Sequence, residues 1–138
     1  MLGVAALFPP SVSSFLDRPL HGVLATHDPR GGISQSVVWH KRFGEKLWIS
    51  CDANSVKVRH IKQDSRISLL VLAPHGGAYV RVEAIAEVGA EVTKEQRLEL
   101  VTPHFGADAQ HWINEHPLDG PQLLVTINPV HVVSRGVT

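Results

Sequence analysis

Apolar residues alternate with polar ones along much of the chain, the period-two pattern of strands that bury one face. From Ala78 to Gly89, Val80, Val82, Ala84 and Ala86 alternate with Tyr79, Arg81, Glu83 and Ile85, which predicts a long strand. Lys46 to Ser50 turns Leu47 and Ile49 to one face and Trp48 and Ser50 to the other, and Gly44-Glu45 forms the two-residue hairpin loop before it. His21 to Thr26 is a short apolar strand ending at the turn Asp28-Pro29-Arg30-Gly31-Gly32. The run Ile33 to Phe43 returns from that turn as a second, antiparallel strand. Arg66 to Ala73 is an almost continuously apolar strand closed by the turn Pro74-His75-Gly76-Gly77. Gln122 to Ile127 and Val130 to Ser134 read as a last strand interrupted at Asn128-Pro129.

Four helices are predicted between these strands. Ser11 to Asp17 is short, with Ser11 or Ser13 as N-cap and Pro19 preventing its continuation. Asn54 or Ser55 caps a basic, amphipathic helix reaching about Gln63, with Val58 and Ile61 on one face. Thr93 and Gln96 have the spacing of a capping box for a helix through about Val101, and Asp108 caps another that reaches His116. About six antiparallel strands with so few helices make a mainly β fold, and closure into a small β-barrel removes the edges that an open sheet would expose.

Composition narrows the functions available. At 138 residues, without repeat, low-complexity tract or linker, the chain is expected to be a single domain over 1–138. Thirteen basic residues balance thirteen acidic ones, so the electrostatic footprint of a nucleic-acid-binding protein is missing. Cys51 is the single cysteine and can form neither an internal disulfide nor a Cys-rich zinc site. The apolar run Met1 to Phe8 lacks a basic flank and stops at Pro9-Pro10, short of the roughly 20 residues that cross a bilayer. The expectation is a soluble, cytoplasmic protein.

Candidate chemistry concentrates between Ser50 and Lys62. A helix N-terminus offers unpaired backbone N–H groups and partial positive charge, and this one carries Ser55, Lys57 and Arg59, with Ser50 on the strand before it. That set suits an anion, a phosphate in particular; an ordinary solvated helix face would carry the same cations. On the strand from Ser34 to His40, Gln35, Val37 and Trp39 share one face and Ser34, Ser36, Val38 and His40 the other. Such a mixture suits a planar heteroaromatic ligand, and equally an outer strand with one wet face. Nine histidines show no His-x-x-x-His pair; His111 and His116 are five apart, and no metal site is expected. Cys51 sits near the basic helix start, which lowers a thiol pKa, or else it is a small buried residue. Gly-x-Ser-x-Gly, Gly-x-Gly-x-x-Gly and P-loop signatures are absent from the sequence.

Taken in order, these segments resemble the pyridoxamine-phosphate-oxidase-like, FMN-binding split-barrel superfamily, and within it the branch using the deazaflavin coenzyme F-420. The resemblance rests on Phe15-Leu16, Gly22 to Thr26, Gln35 to Trp39, Ile49-Ser50, Lys57 to Ile61, Asp64 to Leu69, Val80 to Ala84 and Val125 to Val132. It implies a split β-barrel that forms a homodimer with two cofactor sites at the subunit interface. Gln35, Ser36, Val37, Val38 and Trp39 would line the ring, flanked by Ile49 and Ser50, and Ser55, Val56, Lys57 and Arg59 would hold the phosphate. The partner subunit would contribute from the strand Tyr79, Val80, Arg81, Val82. The turn at Asp28, Ser at position 55 and Ala84 depart from the family's usual pattern and leave the choice between deazaflavin and FMN open.

The implied activity is hydride transfer from a reduced deazaflavin, or alternatively FMN, to a small unsaturated organic substrate. His40, near the strand end, is the candidate proton donor. A non-enzymatic binder of flavin, deazaflavin or haem is the alternative, with His75 or His131 as an axial ligand to haem.

Overall fold

A computed structural model describes residues 7–138, so the apolar run at residues 1–6 lies outside it. Seven strands form one antiparallel sheet: β1 (Gly22–His27), β2 (Ile33–Val38), β3 (Lys41–Phe43), β4 (Lys46–Asp52), β5 (Arg66–Leu72), β6 (Tyr79–Glu91) and β7 (Gln122–Arg135). Their spatial order is β2-β1-β5-β6-β7-β4-β3.

The extra strand comes from the run Ile33 to Phe43, expected to be continuous. β2 pairs with β1 and β3 pairs with β4. The two halves therefore belong to opposite ends of the sheet order, joined only by Trp39 and His40. The chain bends there and carries the barrel closed. β2 and β4 are not ladder neighbours, so the barrel is split between them.

Alternation sets the core as predicted. Leu47, Ile49, Val80, Val82, Val125 and Ile127 are fully enclosed, and α1 (Pro10–Leu16) and α2 (Val56–Gln63) add Val12, Phe15, Leu16, Val58 and Ile61 to the same cluster. In the β6–β7 ladder, Glu83 faces His131 while Ala84 faces Pro129. Val130 is thus the extra residue of a bulge. β7 continues through Asn128-Pro129 rather than stopping there, because a bulge accommodates the proline that a regular ladder cannot.

The helix caps are mixed in outcome. Ser55 accepts from the Val58 amide at 3.3 Å and caps α2, as expected. The Thr93–Gln96 capping box opens α3 (Lys94–Phe105), which runs beyond Val101 and through Pro103. α1 begins at Pro10 with Pro9 at its N-cap, so neither Ser11 nor Ser13 caps it; the Ser13 hydroxyl donates to the Phe8 carbonyl instead. Asp108 precedes α4 (Ala109–Glu115) without a side-chain cap bond. Among the described residues, no helix is long and apolar enough to cross a membrane.

Candidate functional site

The split between β2 and β4 holds a cavity of about 340 Å³. Val37, Val38 and Trp39 line it from the closing segment, Ser50 from β4 and Lys57 from α2. The Lys57 ammonium reaches back to donate to Ser36 Oγ at 3.3 Å. On the opposite wall the Ser50 hydroxyl donates to Gln122 Oε1 at 3.1 Å, and Gln122 Nε2 donates to Asp52. Arg97, Leu100 and Val101 of α3 and Trp112 of α4 roof the cavity, and His21, Leu118 and Gln122 complete it.

Five of the residues expected at a ligand site, Val37, Val38, Trp39, Ser50 and Lys57, are therefore brought together. Ser36 joins them through Lys57. Gln35 is exposed and is not among the residues lining the cavity.

Several expectations are corrected by position. Ile49 is 0% exposed, because β4 turns it into the barrel opposite Ser50, so its side chain cannot flank a ring in the cavity. Val80 and Val82 are likewise enclosed in the core, while Tyr79 and Arg81 alternate with them on the outside of β6. Arg59 is exposed and does not line the cavity; two residues along a helix from Lys57, it points nearly the opposite way. Ser55 Oγ accepts from the Val58 amide at the α2 cap, which leaves its O–H as a donor, and the Val56 side chain lies in solvent.

His40 is not at the cavity wall. It is 4% exposed, and its Nε2–H donates to the Leu16 carbonyl at 2.7 Å while Nδ1 has no protein partner. Burial pushes its pKa below the ordinary value, against opposing contributions from that hydrogen bond and from Asp17, so near neutral pH it is a neutral packing residue rather than a poised acid. For Cys51 the buried alternative holds. Burial raises its thiol to about 11, against a smaller opposing effect of Lys57. His75 and His131, considered as haem ligands, are exposed and outside the cavity.

The roof residues were missed because the predicted helices carried no indication of where they dock. A line of rings fastens them to the barrel: Trp39 stacks on His104 with centroids 4.0 Å apart, lies 5.4 Å from Trp112, and Trp112 stacks on His116 at 4.2 Å. Burial lowers the His104 pKa, with smaller contributions in the same direction from His21 and His40.

A second hollow, about 400 Å³, runs outside the barrel over β1, β5 and β6 between Ala25, Ile33, Arg66, Glu83, Ile85 and Val130. Ile33 and Val130, which line it, are each more than half exposed, as is Val37 at the first cavity.

Comparison with known proteins agrees with this architecture. A solved F-420 reductase is 24% identical, with 91% of this chain and 98% of that chain covered and a TM-score of 0.72. An FMN-binding protein related to pyridoxamine 5'-phosphate oxidase, from Nostoc punctiforme, is 18% identical over 94% of this chain and 84% of its own, with a TM-score of 0.66. The haem storage protein of Vibrio cholerae is 13% identical over 94% and 96%, at 0.67. No curated protein matches the sequence. At these identities the solved structures establish a shared split-barrel fold. The family model for pyridoxamine 5'-phosphate oxidase matches residues 8–135, nearly the whole of the described barrel, and the chain belongs to that family.

Proposed function

We propose that the chain binds a flavin-type redox cofactor, deazaflavin coenzyme F-420 or FMN, in the split of the barrel and acts as an oxidoreductase on a small unsaturated organic substrate. The observation that carries this reading is the placement of Lys57 beside the apolar wall of Val37, Val38 and Trp39 in one cavity. The donor set fits such a group. Lys57 supplies a cation for the phosphate, the hydroxyls of Ser36 and Ser50 lie on either side, and the first turn of α2 adds backbone N–H groups at Val56 and Lys57. The free edge of β2 offers main-chain donors and acceptors to ring heteroatoms.

A bound cofactor of this type supplies the hydride chemistry; the protein's residues hold the phosphate, seat the ring against apolar side chains and exclude water. A second copy of the chain completes the site in this reading. The exposed apolar residues Ile33, Val37, Ile85 and Val130 support its docking, and outward-facing Tyr79 and Arg81 are the side chains it brings. A buried, unpaired Cys51 fits a cytoplasmic protein.

The deciding experiment is titration of the pure protein with FMN and with the deazaflavin, followed by ligand fluorescence and the visible spectrum, and then by turnover with reducible substrates. Saturable binding of either supports the cofactor site. Binding without turnover reassigns the protein as a carrier, and failure of both ligands to bind overturns the reading.

A further inference from the structure

We infer that Arg97 of α3 recognises a second acidic group in the cavity, so that the ligand held there carries two separated negative charges. This deepens the cofactor reading and rests on it. Lys57 and Arg97 face the same cavity from different elements, α2 and α3, and no carboxylate side chain is among the residues that line it. A chain with thirteen acidic residues has thus left two cations there without a counter-charge.

Their hydrogen-bond partners are neutral. Lys57 donates to the Ser36 hydroxyl, and Arg97 Nη2 donates to the backbone carbonyl of His116. Elsewhere among the described residues Arg30, Arg42, Arg66 and Arg81 each meet a carboxylate, Asp28, Asp17, Asp64 and Glu83, while Arg18, Arg59 and Arg135 form no ion pair but are exposed and outside the cavity, so Arg97 is set apart by its place in the cavity wall rather than by the lack of a partner. The nearest acid by hydrogen bonding, Asp52, is exposed and engaged by Gln122.

Arg97 is also held in place. It follows the Thr93–Gln96 capping box directly, and its tie to His116 spans from α3 to the end of α4. A guanidinium has five N–H donors in a fixed fork, so one bond to a carbonyl leaves donors for a carboxylate or phosphate, at little further ordering cost. Leu100, Val101 and Trp112 beside it make the surroundings apolar and strengthen the attraction. The second acidic group can belong to an extension of the cofactor or to a separate substrate; the chemistry at Arg97 is the same.

The test compares wild type with Arg97→Gln and Arg97→Lys, read by quenching of tryptophan fluorescence. Thermal denaturation confirms that α3 and α4 stay docked. The probes are FMN, with one phosphate, the deazaflavin, with a phosphate and a carboxylate-bearing tail, and naphthalene carboxylate added to the FMN-loaded protein. Arg97→Gln is expected to weaken one of the two carboxylate probes about tenfold or more while FMN stays within about twofold, and Arg97→Lys to recover part of the loss. Loss on the deazaflavin assigns the group to the cofactor; loss on naphthalene carboxylate assigns it to a separate substrate.

An equal loss for FMN, or no loss on either carboxylate probe, overturns the assignment. If wild type binds neither cofactor, the cofactor reading alone has failed. Arg97 is then judged by whether the apo protein's preference for naphthalene dicarboxylate over its half-ester disappears in Arg97→Gln; persistence of that preference, or its absence in wild type, overturns the role.

Discussion

His104 of α3 lies flat on Trp39 of the barrel-closing segment, with ring centroids 4.0 Å apart and planes within 16°. Trp39 is both the point where the barrel closes and a wall of the cavity, so this one contact ties the roof to the site. Its loss should loosen α3 and α4 without unfolding the barrel. His104→Ala is expected to cost about 0.5–1.5 kcal/mol, the value of an aromatic pair beyond its buried area, and to shift the emission of Trp39. Trp39→Leu should cost more and also weaken ligand binding. Thermal denaturation and titration check both; an unchanged denaturation midpoint in His104→Ala would show that the stacking holds nothing.

Acidification provides a second check, through His40. Its folded-state pKa is pushed below the ordinary 6.5 by burial, so on lowering the pH the unfolded chain takes up a proton before the native protein does. Stability must then fall as pH drops through the unfolded value, and rise with pH in the same window. The salt-bridged Asp28, held near 2 by hydrogen bonds from Arg30, loses its contribution only at lower pH, below its ordinary 3.8. Urea denaturation between about pH 7.5 and 5.5 should therefore show a slope that is shallower in His40→Gln, and His104, whose pKa burial also lowers, contributes in the same direction. Parallel slopes in wild type and variant would contradict the assignment.

Ile49 and Ser50 are neighbours with opposite roles, and substitution separates them. Ile49→Ala removes a fully buried side chain from the barrel and is expected to destabilise by about 2–5 kcal/mol, yet to leave ligand affinity within about twofold where the protein is still folded. Ser50→Ala should show the reverse, with little change in stability and measurable loss of binding. Equilibrium denaturation and ligand titration on the same samples decide the matter.

These neighbours also show what the sequence made legible. Strand parity is local, and alternation alone put Leu47 and Ile49 on one face and Trp48 and Ser50 on the other; burial makes the first of these the inner face, whereas the family resemblance had assigned Ile49 and Ser50 alike to the ring. Caps are local too, and Ser55 and the Thr93–Gln96 box were readable from a few residues each. The bend at Trp39-His40 was not, because whether a strand stays in one ladder depends on partners far along the chain, here β1 for one half and β4 for the other. The same holds for Arg97, Trp112 and Gln122. Nothing in their own segments specifies that α3 and α4 dock over the split, or that Gln122 meets Ser50 across the β4–β7 ladder.

Lys57 and Arg59 provide the sharpest separation of a binding cation from a surface one. Both are basic and both lie near the start of α2, but residues two apart on a helix diverge by about 200°, and only Lys57 faces the cavity. A charge-assisted contact to phosphate is worth about 1.5–3 kcal/mol, so Lys57→Ala should weaken FMN about ten- to a hundredfold. Arg59→Ala should change it by no more than about twofold, through long-range attraction that salt screens. Riboflavin, which lacks the phosphate, should bind both variants as it binds wild type. The three titrations at low and high salt form a closed test: equal losses in Lys57→Ala and Arg59→Ala would return the phosphate to the exposed face of α2, and an effect of Lys57→Ala on riboflavin would mean that the ammonium acts on the ring rather than the phosphate.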